Sequence, residues 1–452
     1  MFQFVIIVCR YLFVLNILYF LLEGVAFLLD ERNIREWDRN DAITKQKGIL
    51  ILTHLTGFLL LGYKQGSYIF DWNVLVMGAA SLAFLLVGLP LVKLVYKNSC
   101  PLMWNGVFFL LDLGLITLQR LDPDIARRQL IFIGAGFAAM LLIPLVFKMI
   151  PKWEKLEPVY LILSFLLLLL PFFLGKLTYG SLNWITIGSL RFQPSEIVKF
   201  LFVLYLASVF RKNLTLRQLI APTAAAAAAV IILTVQRDLG GALIFFMTFM
   251  ILLYVSTGRE LLFFSGLLAA SGVAWLTSKT VSHVQARVAV WLDPWADPYN
   301  KGYQIVQSLI AIASGGLWGS GLTRGAPRVV PVVNSDFIFS AICEEFGGLF
   351  GIGVFGIFIM VFYRGMHIAL RCQRPYHSLL ATGYTSLLAL QTFLILGGVI
   401  KFIPLTGVTL PFISSGGSSV IVSILMIGIL QWLYQNNHDD LVASEKISTK
   451  FT

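Results

Sequence analysis

The chain has 452 residues, 58% hydrophobic and only 13% charged, with a mean hydropathy of +0.83. A soluble domain is about one-quarter charged, so this composition excludes a soluble globular protein and predicts an all-α polytopic membrane protein, since a span must satisfy its own backbone hydrogen bonds. The net charge of +11 is spread over short loops between apolar runs, which suits cytoplasmic retention of those loops and attraction to membrane lipid rather than nucleic acid.

In chain order, apolar runs predict thirteen spans at 4–28, 48–63, 74–96, 104–119, 129–150, 158–175, 194–211, 217–235, 239–257, 260–278, 337–363, 378–400 and 417–436. The start, MFQFVIIVCRYLF, has no basic leader region and no small-residue cleavage site, so the first run is expected to stay as a span. Cys9, Cys100, Cys343 and Cys372 show no CxxC, and with five scattered histidines there is neither a His/Cys metal cluster nor HExxH. Ala224–Ala229 and Gly347-x-x-x-Gly351 are small-residue faces for helix packing. Gly351-x-Gly353-x-x-Gly356 lies inside an apolar run with no preceding strand, which excludes a dinucleotide loop. The glycosylation sequon at Asn213 falls on the cytoplasmic side.

That sidedness follows from the bases. With 29–47 in the cytoplasm and the sides alternating, cytoplasmic segments hold 19 Lys/Arg and outer segments 13. The asymmetry places the N-terminus and the long 279–336 loop outside and the tail 437–452 in the cytoplasm.

Four stretches put polar groups at the outer surface. The first is WITIGSLRFQPSEIVK, from Trp184 to Lys199, with Gln193, Ser195 and Glu196 at a proline-marked helix start. Glu196 and Lys199 lie three apart on one face and can pair, either for function or as a structural ion pair. The second is QRDLG, where Asp238 caps the next helix. The third is the 279–336 loop followed by SDFIFSAICEEFG, with Asp336 where the chain re-enters the membrane and Glu344 and Glu345 about 12 Å deeper along one helix. The fourth is PLTGVTLPFISSGGSS, too rich in Pro and Gly for a helix and suited to lining a cavity that takes a phosphate.

Together these stretches resemble the SEDS family (shape, elongation, division and sporulation) of membrane peptidoglycan polymerases, in family order over roughly residues 104–436. The resemblance implies a ten-span core at 101–436, preceded by an extension of about three spans at 1–100 that it does not explain. The chain departs from the family's usual pattern at Asn334, commonly His, and at Arg237, usually Pro, while only some members carry a base such as Lys401.

The implied reaction is transglycosylation of lipid II into glycan strands on the outer face of the bacterial cytoplasmic membrane, serving elongation, division or sporulation. Asp336 corresponds to the family's catalytic aspartate. Arg287, Arg324, Lys401 and the Ser414, Gly416, Gly417 and Ser418 stretch are candidates for the undecaprenyl diphosphate, chosen by sidedness. Glu344 and Glu345 are candidates for supporting the site or binding a divalent cation (Mg or Mn), although no metal ligand set is legible. The implied partner is a class B penicillin-binding protein, with 337–363 and 378–400 as candidate docking spans. A lipid II flippase without chemistry fits the spans equally well, and a scaffold recruiting cell-wall machinery is a third reading. An acid at the outer lip, rather than charges near the midplane, favours the enzyme.

Overall fold

Proline and acidic residues mark where helices begin. In the computed structural model, which describes residues 2–29, 36–63, 70–150, 152–178, 181–188, 190–212 and 214–448, three helices come first: α1 (Phe2–Leu29), α2 (Glu36–Gly62) and α3 (Trp72–Val95). Pro101 opens α4 (Pro101–Leu121), and Asp122 caps the amides of Asp124 and Ile125 to start α5 (Pro123–Leu141). Its continuation past Leu142 is α6 (Ile143–Met149), with Pro144 in its first turn, and Glu157–Pro158 opens α7 (Glu157–Leu174).

The 176–192 segment forms a small antiparallel sheet of β1 (Lys176–Thr178), β2 (Ser181–Ile187) and β3 (Leu190–Phe192), a local exception to the all-helical expectation. Then follow α8 (Pro194–Phe210), α9 (Ile220–Val235), α10 (Leu239–Thr257), α11 (Glu260–Thr280), α12 (Ser282–Leu292) and α13 (Tyr303–Gly315). The chain closes with α14 (Ile338–Phe346), α15 (Gly348–Arg371), α16 (Pro375–Val399) and α17 (Gly417–Ser448). Among the described residues ten helices are long and apolar enough to cross a membrane; with α2, α8 and α9 they correspond to the thirteen expected spans. Arg32 and Arg35 of the first cytoplasmic loop, and Asn213 of the sequon, lie outside the described residues.

The core is built on α4 and α16. Nearly every residue of α4 is buried, and α16 is enclosed by α8, α10, α15 and α17. By contrast α11 has no buried residue and touches the bundle through α10 and α12.

Two expectations need correction. The run 337–363 is not one helix: the chain turns at Gly347, φ +98°, so α14 ends there and α15 alone is long enough to span. Glu345 meets Arg120 at the end of α4, Glu344 meets Ala326 of the preceding loop, and the span itself starts at Gly348, so the two glutamates precede the span rather than lying two turns down it. Consequently Gly347 belongs to the break rather than to a packing stripe; Gly351 is tight against the Cys343 and Phe339 side chains of α14. Secondly, α16 offers almost no lipid face beyond Phe393, whereas α15 keeps an open strip at Ile352, Phe355, Ile359, Tyr363 and Leu370. Docking on α16 is therefore not available.

Polar contacts inside the apolar layer hold the extension together and, through His54–Asp112 and Gln46–Asn105, tie it to α4. His54 Nδ1 lies 2.6 Å from Asp112 Oδ1 of α4, and its Nε2 donates to the Gly78 carbonyl of α3 at 3.0 Å. Asn16 donates to Thr53, Asn105 to Gln46, and Gln46 to the Phe20 carbonyl. Parting such groups in hydrocarbon leaves them unsatisfied, at several kcal/mol each.

The sidedness has a direct check. In a background lacking Cys9 and Cys372, a cysteine at the exposed Asn300 should be labelled from outside intact cells by an impermeant thiol reagent, and one at the exposed Gln373 should stay at background. The opposite pattern would invert the orientation.

Candidate active site

Asp336 stands two residues before α14, in the turn that closes the long loop. The proline- and glycine-rich loop between α16 and α17 is stitched to this turn: the Ser415 amide donates to the Asn334 carbonyl at 2.9 Å, and Ser414 Oγ donates to the Ser335 carbonyl at 2.6 Å. Ser414 is itself held, accepting from the Leu410 amide through Oγ and from Gln129 of α5 through its carbonyl. Gly407 has φ +75°, and a Cβ there would stand 3.7 Å from Asp336 Oδ2, so the loop brings bare backbone up to the acid. Asp336 is half-buried. Burial pushes its carboxyl up to about 6, against the opposing pull of the Ser335 hydrogen bond and the Arg287 charge.

Arg287 is positioned by α12. Its Nη1 donates to the carbonyls of Leu405 and Thr406 at 3.0 and 3.1 Å, and its charge acts on both Asp336 and Asp238. Asp238 caps α10 through the Gly241 amide at 2.8 Å and accepts from Asn183 of β2 and from Gln193. Arg237 beside it has φ +63°, a conformation closed to proline, whose ring locks φ near −65°. The departure from the family's proline thus goes with a left-handed turn here.

Below the loop runs a buried polar row. Lys199 Nζ sits 2.7 Å from Glu196 Oε1 and donates to Gln391 Oε1 of α16 at 3.1 Å. Gln391 donates onward to the Thr409 carbonyl at 2.8 Å, and Thr409 meets Ser419 at 2.8 Å. Ser195 is buried one residue before Glu196, and Trp184 lies half-buried on β2. Gly416 donates to Gln129 Oε1 at 3.3 Å, Gly417 lies tight against the Phe132 ring, and Ser418 is in the first turn of α17. That helix start offers free amides to an anion.

The two glutamates do something different. Glu344 Oε1 accepts from the Ala326 amide at 2.7 Å, and Glu345 Oε1 accepts from the Thr323 amide and from Arg120 of α4 at 3.2 and 3.1 Å. They clasp the 316–328 loop to the far end of α14. Arg324 rides exposed on that loop, away from the end of α14 that carries Asp336, while Lys401 lies half-buried at the end of α16, its carbonyl accepting from Trp291 at 3.2 Å. Among the described residues no three His, Cys, Asp or Glu side chains converge to hold a metal ion. Mg2+ is commonly held by one or two carboxylates with the rest of its oxygens from a substrate phosphate.

The structure therefore gathers Asp336, Arg287, Gln193, Ser414 and Gly416 around the 404–416 loop, with Glu196 and Lys199 beneath it, and sets Glu344, Glu345 and Arg324 apart. Sequence reading passed over Gln129, Gln391, Arg120 and the His54–Asp112 pair. Asp112 had a usable signal: it is a lone acid inside the apolar run 104–119. Glutamines carry no such mark.

Residues 95–439 match the family FTSW_RODA_SPOVE, described as cell cycle protein. Among curated relatives, peptidoglycan glycosyltransferase RodA of Mycobacterium tuberculosis is 30% identical over 79% of this chain and 83% of its own length. Stage V sporulation protein E of Bacillus subtilis is 35% identical over 68% and 85%. A probable peptidoglycan glycosyltransferase FtsW of a Thioalkalivibrio species is 36% identical over 75% and 90%. Among solved structures, a chain from a study of "structural coordination of polymerization and crosslinking by a peptidoglycan synthase complex" superposes with a TM-score of 0.65 at 26% identity, covering 75% of this chain and 98% of that one. Thermus thermophilus rod shape determining protein RodA superposes with a TM-score of 0.58 at 25% identity, covering 75% and 97%. The matched segment includes Asp336 and the helices and loop around it, and the chain belongs to the FtsW/RodA/SpoVE family of cell cycle proteins.

Proposed function

We propose that this protein is a peptidoglycan glycosyltransferase that polymerises lipid II on the outer face of the cytoplasmic membrane. The observation that carries the reading is a half-buried carboxyl group, Asp336, at one end of a membrane bundle, beside a polar loop and a cation. Transfer needs a base for the attacking hydroxyl and positive charge for the departing diphosphate. Asp336 takes the proton as the sugar oxygen of one lipid II bonds to the anomeric carbon of the glycan chain. The bond from that carbon to oxygen breaks, and undecaprenyl diphosphate leaves with the electron pair. Arg287, Lys401 and the amides at the start of α17 face the leaving group; Glu196 and Lys199 hold the floor.

The outer location rests on the Lys/Arg asymmetry. A class B penicillin-binding protein is the partner this reaction calls for, since the strands must be crosslinked, and its single span would lie on the open strip of α15. Purified protein given labelled lipid II in detergent tests the reading by the appearance of glycan polymer. Absence of polymer, with lipid II crossing the bilayer of reconstituted liposomes, would select the transporter instead.

A further inference from the structure

The helices before residue 95 lie outside the matched family segment, yet α1 reaches the joint that carries the site. It runs alongside α15 in the same direction: Ile17 lies against Gly353, Leu21 against Gly356, and Met360 against Gly24. At its upper end Phe13 meets Phe346 and Phe350 edge-on, with ring centroids 5.0 and 6.4 Å away. Arg10 Nη1 donates to the Gly319 carbonyl at 3.3 Å, and Tyr11 packs on Trp318 at 5.2 Å. Ile6 lies against Gly321, where a Cβ would stand 2.5 Å from the Ile6 Cγ2.

The segment so gripped is the brace of α14. The Ser320 and Gly321 amides donate to the Glu344 and Glu345 carbonyls, both at 2.9 Å, and the Gly348 amide donates to the Gly316 carbonyl at 2.8 Å. α14 is nine residues long and fully buried, and Asp336 lies just beyond its other end. A short helix held at one end transmits displacement to the other, because a packed interior deforms little. The buried contacts of His54 with Asp112 and of Gln46 with Asn105 keep the extension in place within the membrane.

We propose that α1 is a built-in positioning element for the active site, with Arg10 and Phe13 as positioning residues that set Asp336 through the Gly316–Gly321 brace and α14. This rests on the glycosyltransferase reading. The brace holds α14 still; a loosened brace lets Asp336 drift from the attacking hydroxyl and lets water reach it. The charged groups facing Asp336 are Arg287 and, beyond it, Asp238; both belong to other elements and are untouched by changes in α1.

The test uses the full-length protein in detergent with labelled lipid II. Arg10→Met and Phe13→Ala should each lower kcat by about ten- to a hundredfold, the range expected for a misplaced reacting group, with KM within about twofold. The midpoint of the pH–rate profile should move toward the ordinary carboxylate value. Arg10→Lys should recover much of the rate, and Leu15→Ala on the lipid side of the same helix should match wild type. Unchanged kcat, or a lower kcat with an unmoved pH midpoint, would overturn positioning and leave α1 a stabiliser. If Phe13→Ala melts early, Arg10→Met alone decides by the same criteria. An inactive wild type would instead sink the glycosyltransferase reading itself.

Discussion

Asp336→Asn should abolish glycan polymerisation from lipid II, by about 10²–10⁴-fold as for loss of a general base, while the protein keeps its wild-type melting temperature. The amide is nearly the same shape, so the stitching of the 404–416 loop to Asn334 and Ser335, which uses backbone carbonyls, survives. What disappears is the proton acceptor. Because burial holds the carboxyl at about 6, wild-type activity should climb as pH rises through that value and level off above it, the ionised form being the base. A flat profile between pH 5 and 7, or an asparagine variant with near-normal polymerisation, would remove Asp336 from the role. Asp293 and Asp297 should tolerate the same change better, since each caps its own turn, at the Trp295 amide and at Asn300 respectively.

Lys199→Met should cost about 3–5 kcal/mol of stability, the toll of leaving one partner of a buried ion pair uncompensated. Glu196 and Lys199 are both nearly sealed from solvent, 2.7 Å apart, and Gln391 would also lose its donor. The double variant Glu196→Gln, Lys199→Met removes both charges and should be more stable than Lys199→Met alone. Detergent melting curves of the two single variants, the double and wild type give the coupling directly. Additive losses would show that the two charges do not act on each other, whatever their separation. The pair also supports the site, since Gln391 carries the row onward to Thr409 in the active loop. Lys199→Met should therefore depress polymerisation along with stability.

The spans, their order and the helix-opening signals at Pro194 and Asp238 were legible because each is local. A membrane-length apolar run must become a helix, and a proline or a capping acid acts on the turn it sits in. The Glu196–Lys199 pair was legible for the same reason, three residues apart on one helix. The break at Gly347 was not: the only charged residues of the run 337–363 are Glu344 and Glu345, and both acids are satisfied by a loop that lies about twenty residues earlier in the chain. The docking face on α16 failed likewise, because hydropathy does not distinguish a helix facing lipid from one facing other helices.

By itself the sequence determined the class of molecule, the order of its helices and the family, and motifs in family order single out Asp336 as the candidate acid. Only the tertiary structure decided which polar groups far apart in the chain meet. Asp336 answers to Arg287 on α12 and to a loop beyond α16; Glu344 and Glu345 clasp the 316–328 loop to α14; and α1, remote in sequence, meets that loop through Arg10 and the end of α14 through Phe13. The physical reason is common to all three. Within an apolar layer nearly every segment is helical whatever its neighbours, so secondary structure is written locally, whereas the partner of each buried polar group is chosen by packing between helices far apart in the chain.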